Sequence, residues 1–113
     1  MSSLMEKYES LKQQRYSIDG QINFAEKLYT LLKRMVESEN EAELDFRRKV
    51  EQDPDQINTT LSAKAWFHKA AANALGTYGI ELMREQLELY KIQKELTESM
   101  DSLVEEMERK AQR

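Results

Sequence analysis

His68 is the only histidine of the chain, and Glu37, Glu39, Glu41 and Glu43 form a close run of carboxylates. Imidazole and carboxylate are the groups that move protons or hold a divalent metal near neutral pH. Their spacing argues against both uses. Glutamates at alternate positions project to different sides of a helix, which makes them a solvated face rather than an acid–base pair. No Glu-x-x-His pair exists, and that removes the di-iron or di-manganese bundle site. The chain has no cysteine, so it offers neither a disulfide framework nor a thiolate metal site. Glycine-rich phosphate loops, nucleophile elbows and zinc-binding spacings are absent as well. The expectation is a protein that is not an enzyme and uses no cofactor or metal. His68, between Phe67 and Lys69, reads as a packed or surface side chain, and the six methionines read as core filler.

The elements that must position these residues are legible. From Leu4 to Val50 an apolar stripe steps alternately by four and three residues: Leu4, Tyr8, Leu11, Arg15, Ile18, Ile22, Ala25, Tyr29, Leu32, Val36, Glu39, Glu43, Phe46 and Val50. Only Arg15, Glu39 and Glu43 interrupt it. A 3.5-residue repeat lays one seam along a helix, and another helix must cover that seam. A helix of this length is roughly 70 Å long at 1.5 Å per residue, so an elongated molecule is expected. Leu28, Leu31, Met35 and Ala42 form a second apolar row, which suits a helix touched from two sides.

One helical block is expected over residues 3–51, a loop over 52–61 and a second block over 62–110, all in a single domain 1–113. Asp19-Gly20 is the weak point of the first block; the unbroken heptad phase favours one continuous helix there. Pro54, the only proline, removes a donor and pushes Asp53 out of the helical region. Ser62 is the expected N-cap of the second helix, with Asp55 or Thr60 as alternatives. The second stripe reads Leu75, Tyr78, Leu82, Leu89, Ile92, Leu96, Met100, Leu103 and Met107, with Met83, Leu87 and Tyr90 beside it. Gly76 and Gly79 either bend this helix or break it in two. The fold class is all-α: an elongated antiparallel helical hairpin or coiled-coil bundle, completed by dimerisation.

Between Gln56 and Ile80 there is no acidic residue, although acids are dense elsewhere. Small residues and large aromatics replace them, the composition of a closely packed interface. The interface residues expected are Trp66, Phe67, Ala70, Ala71, Ala74, Leu75 and Tyr78; the alternative is the buried middle of an intramolecular bundle. If Trp66 is buried in a core, Trp66→Ala costs ~3–5 kcal/mol. Near-wild-type melting marks instead an exposed Trp66 that awaits a partner.

The formal net charge is −4, with 9 basic against 10 acidic residues in 1–52 and 8 against 11 in 53–113. Neither half has the basic excess that drives nucleic-acid binding. The start, MSSLMEKYES, lacks the apolar region of a secretory signal, and no run has the length of a membrane span. A cytoplasmic protein is expected, and Asn58-Thr59-Thr60 reads as an accidental sequon.

The run FAEKLYTLLKRMVESENEAELDFRRKV resembles the first core helix of F-BAR domains, a family of the BAR superfamily. Leu28 and Leu32 match that pattern's leucines and Glu39 its glutamate, while Ala42 stands where its tyrosine is usual. Thr59-Thr60-Leu61-Ser62-Ala63-Lys64-Ala65-Trp66 is similar to the opening of the family's second helix. The resemblance covers about residues 18–90. It implies a homodimer of long helices that scaffolds anionic membrane as a peripheral membrane protein. Lys33, Arg34, Arg47, Arg48, Lys49, Lys64 and Lys69 are the candidate positions for lipid contact, each worth about 1 kcal/mol near such a surface; the alternative is that they are ordinary solvated charges. Two departures stand against it: the family's arc needs further long helices, and the segment LTESMDSLVEEMERK is acidic. With the stripe still running at Arg113, the expectation is either an N-terminal fragment or a shortened relative. Without the membrane role, the same helices serve as a coiled-coil adaptor or assembly subunit that binds protein.

Overall fold

The computed structural model describes residues 3–52 and 59–112. Two α-helices account for almost all of them: α1, Leu4–Glu51, and α2, Thr59–Ala111. They are paired antiparallel, so the all-α hairpin expected from the two stripes is the fold.

Both helices have sequence reasons for their ends. Ser3 caps α1: its Oγ accepts the Glu6 backbone N–H at 3.1 Å, and its carbonyl accepts from Lys7 N–H at 3.1 Å. Ser3 and Glu6 are thus spaced as in a capping box. Arg48 and Lys49 occupy the last turn of α1, and Arg109 and Lys110 that of α2, where cations oppose the negative end of the helix dipole. α1 runs unbroken through Asp19-Gly20, as the continuous phase implied. α2 also runs unbroken through Gly76 and Gly79, and none of the glycines has a positive φ. The break proposed there does not occur.

The start of α2 is a correction. The helix begins at Thr59, three residues ahead of Ser62, so the expected N-cap already lies inside it. The earlier start brings Leu61, which is half-buried, onto the paired face. Asp53, Pro54 and the alternative cap Asp55 lie outside the described residues.

The seam of α1 is the stripe read from sequence. Thirteen of its fourteen positions are buried or half-buried, and Tyr29 sits at the margin with 36% exposure. The seam of α2 is stricter than the sequence suggested. It runs Leu61, Ala65, His68, Ala72, Leu75, Gly79, Leu82, Gln86, Leu89, Gln93, Leu96, Met100, Leu103 and Met107, and every one of these is buried or half-buried. Tyr78 and Ile92 fall outside it, at 49% and 39% exposure. Their places go to Gly79 and Gln93, because a fixed alternation of four and three follows backbone geometry and not hydrophobicity.

The chain's contacts gather into two stretches, each with its own interior. One joins Met1–Glu26 with Arg84–Arg113 and buries Ile22, Ala25 and Met100. Its polar contacts cross from helix to helix: Gln93 Nε2 donates to Asp19 Oδ1 at 2.6 Å, and Tyr90 Oη donates to Glu26 Oε1 at 2.5 Å. The other stretch, Lys27–Met83, buries Leu32, Ala65, Ala72 and Leu82. The buried set is thin for so long a chain, and no side chain among the described residues is fully enclosed.

The Tyr90–Glu26 bond gives a pH signature. The carboxylate that accepts the phenol's proton holds Tyr90 above its ordinary pKa of 10.0, with desolvation and the Glu26 charge acting in the same direction. A pKa raised by folding means stability present below the unfolded value and lost as pH climbs through the folded one. Wild type should therefore lose stability, relative to Tyr90→Phe, as pH is taken above about 10. Urea melts of both proteins across that range check this; parallel curves would remove the role given to the bond.

Candidate interaction surface

Within Lys27–Met83 the helices place their ionisable groups unevenly. His68, on the seam of α2, meets Glu39 of α1 through Nδ1 and Oε2. The imidazole lies flat against the Phe46 ring, with centroids 5.5 Å apart and planes 8° apart, and Phe67 meets it edge-on at 5.6 Å. Lys49 and Lys64 both reach the same Phe46 ring, at 5.1 and 5.6 Å from its centroid, within cation–π range. Arg47 donates to Glu43 at 2.9 Å, and Arg48 stands 3.9 Å from Asp45.

His68 and Glu39 are a cross-helix pair that sequence reasoning kept apart. The signal was present: Glu39 interrupts an apolar seam, and folding the stripes antiparallel about Pro54 brings it level with the only histidine. A carboxylate in a seam is tolerated where a donor faces it.

Since Lys49 and Lys64 meet over one ring, the rows that contain them run along one edge of the helix pair. Stepping by heptads from Lys49 gives Ala42, Met35 and Leu28; stepping from Lys64 gives Ala71 and Tyr78. Met35 and Tyr78 are 42% and 49% exposed, as is neighbouring Leu31 at 52%. The second apolar row of α1 is thus half covered, with Leu28 and Ala42 half-buried and Leu31 and Met35 exposed.

The outward rows of α2 extend this surface. Ala63, Trp66, Phe67, Ala70, Asn73, Ala74, Thr77, Tyr78 and Ile80 are all exposed, with Trp66 at 69% and Phe67 at 65%. None of them is charged; Lys64 and Lys69 stand at the edges. The first half of α2 is therefore uncharged on its outer side and packed on α1 by its inner side. A helix without a polar face is normally covered on both sides.

Of the seven interface residues expected, Trp66, Phe67, Ala70, Ala74 and Tyr78 lie together on this outer surface, with Ala71 half-buried at its margin. Leu75 does not join them. It belongs to the seam, where it lines a groove of about 310 Å³ with Tyr29, Leu32, Val36, Gly79 and Met83. The glycines here are not forced by a close neighbour within the chain, since a Cβ on Gly76 or Gly79 would meet nothing within 4 Å.

The cationic positions do not share a face. Lys33 and Arg47 follow one edge of α1, Arg34 and Arg48 its outer side, and Lys49 with Lys64 the opposite edge. Arg47 and Arg48 also have acidic neighbours of their own, so the charge they project is reduced.

Among the described residues no cluster of His, Asp or Glu suits a metal ion, and no helix is long and apolar enough to cross a membrane. No family model matches the chain, and no curated protein or solved structure matches it either. The F-BAR resemblance consequently rests on the residues that carry it, from Leu28 to Trp66.

Proposed function

We propose that the chain is a helical assembly module that works by binding protein through the outer surface of α2. One observation carries this reading: an uncharged face with Trp66 and Phe67 about two-thirds exposed, on a helix whose other side is already packed. Aromatic side chains in that setting are characteristic anchors of protein–protein contacts. The thin core points the same way, because covering this face adds the apolar burial that a lone hairpin lacks. The double variant Trp66→Asp, Phe67→Asp tests the reading. It should keep the far-ultraviolet helix signal and lose whatever assembly wild type shows by light scattering. Undiminished assembly in that variant would sink the proposal.

A second reading, an F-BAR-like scaffold on anionic membrane, draws support from Lys49 and Lys64 meeting at one edge. It predicts co-sedimentation with phosphatidylserine-rich vesicles at low salt that fades as ionic strength rises. Absence of pelleting at low salt removes that reading and leaves the first intact.

A further inference from the structure

The outer surface of α2 has an internal symmetry in size and charge. Reading outward from its middle, Ala70, Asn73 and Ala74 are small; Trp66 and Phe67 on one side answer Tyr78 and Ile80 on the other, and all are exposed. The pattern large–small–large over about 20 Å of helix is nearly palindromic. The charges beyond it are the reverse of palindromic. Lys64 lies past the aromatic pair at one end, and Glu81 lies past Ile80 at the other.

A size palindrome fits a second copy of itself in either direction, and charge selects the one in which the copy runs antiparallel. Trp66 and Phe67 of one chain then lie beside Ile80 and Tyr78 of the next, with the alanines between them allowing the backbones to approach. The same turn places Lys64 opposite the partner copy's glutamate, twice per dimer. A parallel copy would set lysine against lysine and glutamate against glutamate. Size thus admits a second copy, charge sets its direction, and two-fold symmetry makes the contact close on itself. We propose that the outer surface of α2 pairs with the same surface of a second copy, antiparallel, with Lys64 and Glu81 fixing the direction. The proposal rests on the assembly reading above and names its partner.

A charge exchange tests it. Lys64 and Glu81 are both exposed, and Lys64 gives up only its cation–π contact, 5.6 Å from the Phe46 ring centroid of its own chain, to reach the second copy. Wild type should show a dimer mass by light scattering that dissociates on dilution. K64E alone and E81K alone should each weaken the dimer about tenfold, since each sets like charges together twice. The double variant K64E/E81K should recover wild-type affinity. So should an equimolar mixture of the two single variants, in which both contacts are matched again. A single-chain mass for wild type at high concentration overturns the second copy, and unchanged association of K64E, which in a parallel dimer only exchanges one like pair for another, overturns the antiparallel direction. Failure of the double variant to recover overturns the Lys64–Glu81 contact. None of these results touches binding of a different protein at Trp66 and Phe67, which the aspartate variant reads separately.

Discussion

Leu82→Ala is expected to destabilise the helix pair by about 2–4 kcal/mol, enough to melt much of it at physiological temperature. Leu82 is 7% exposed, on the seam of α2 in the stretch that also buries Leu32, Ala65 and Ala72. The cost therefore includes both the lost transfer energy and the unfilled space. A paired hairpin offers only one layer of core, and its reserve against such a loss is small. Urea unfolding followed by helix content checks this directly. A loss below about 1 kcal/mol would mean that the seam contributes less than its burial implies.

Trp66→Ala should act in the opposite sense, on assembly and not on the chain. With the side chain 69% exposed, the separated protomer should keep its stability to within about 0.5 kcal/mol. The ~3–5 kcal/mol expected for a core tryptophan does not apply to a position this open. The tryptophan's apolar surface is free to be buried by a partner, and truncation of such anchors commonly costs about 2–4 kcal/mol of binding. Association should accordingly weaken by about 30-fold or more. Melting at high dilution, where protomers are apart, and light scattering at high concentration separate the two effects. A large fall in the dilute melting point would place Trp66 in a core after all.

Much of the fold was legible because helix pairing has a simple arithmetic. The stripe of α1 named its seam position by position, Arg15, Glu39 and Glu43 included, since backbone periodicity fixes the facing side whatever the side chain. The same rule was harder to apply to α2. Gly79, Gln86 and Gln93 occupy seam positions without looking apolar, while Tyr78 and Ile92 look apolar and face outward. Hydrophobicity misled where the repeat would not have. The start of α2 was missed for a related reason: Thr59 and Thr60 favour turns when isolated, but packing of Leu61 on α1 extends the helix over them.

By itself the sequence determined the all-α class, the two long helices either side of Pro54, the seam of α1 and the unusual acid-free segment. These follow from local rules of periodicity, capping and charge, which need no knowledge of neighbours. Only the tertiary structure decided which side of that segment is occupied. Antiparallel pairing takes Ala65, His68, Ala72 and Leu75 for α1, brings His68 to Glu39, and leaves Trp66 and Phe67 outside. A helix shows its partner one stripe at a time, and the residues one step around from a filled stripe are left facing whatever comes next.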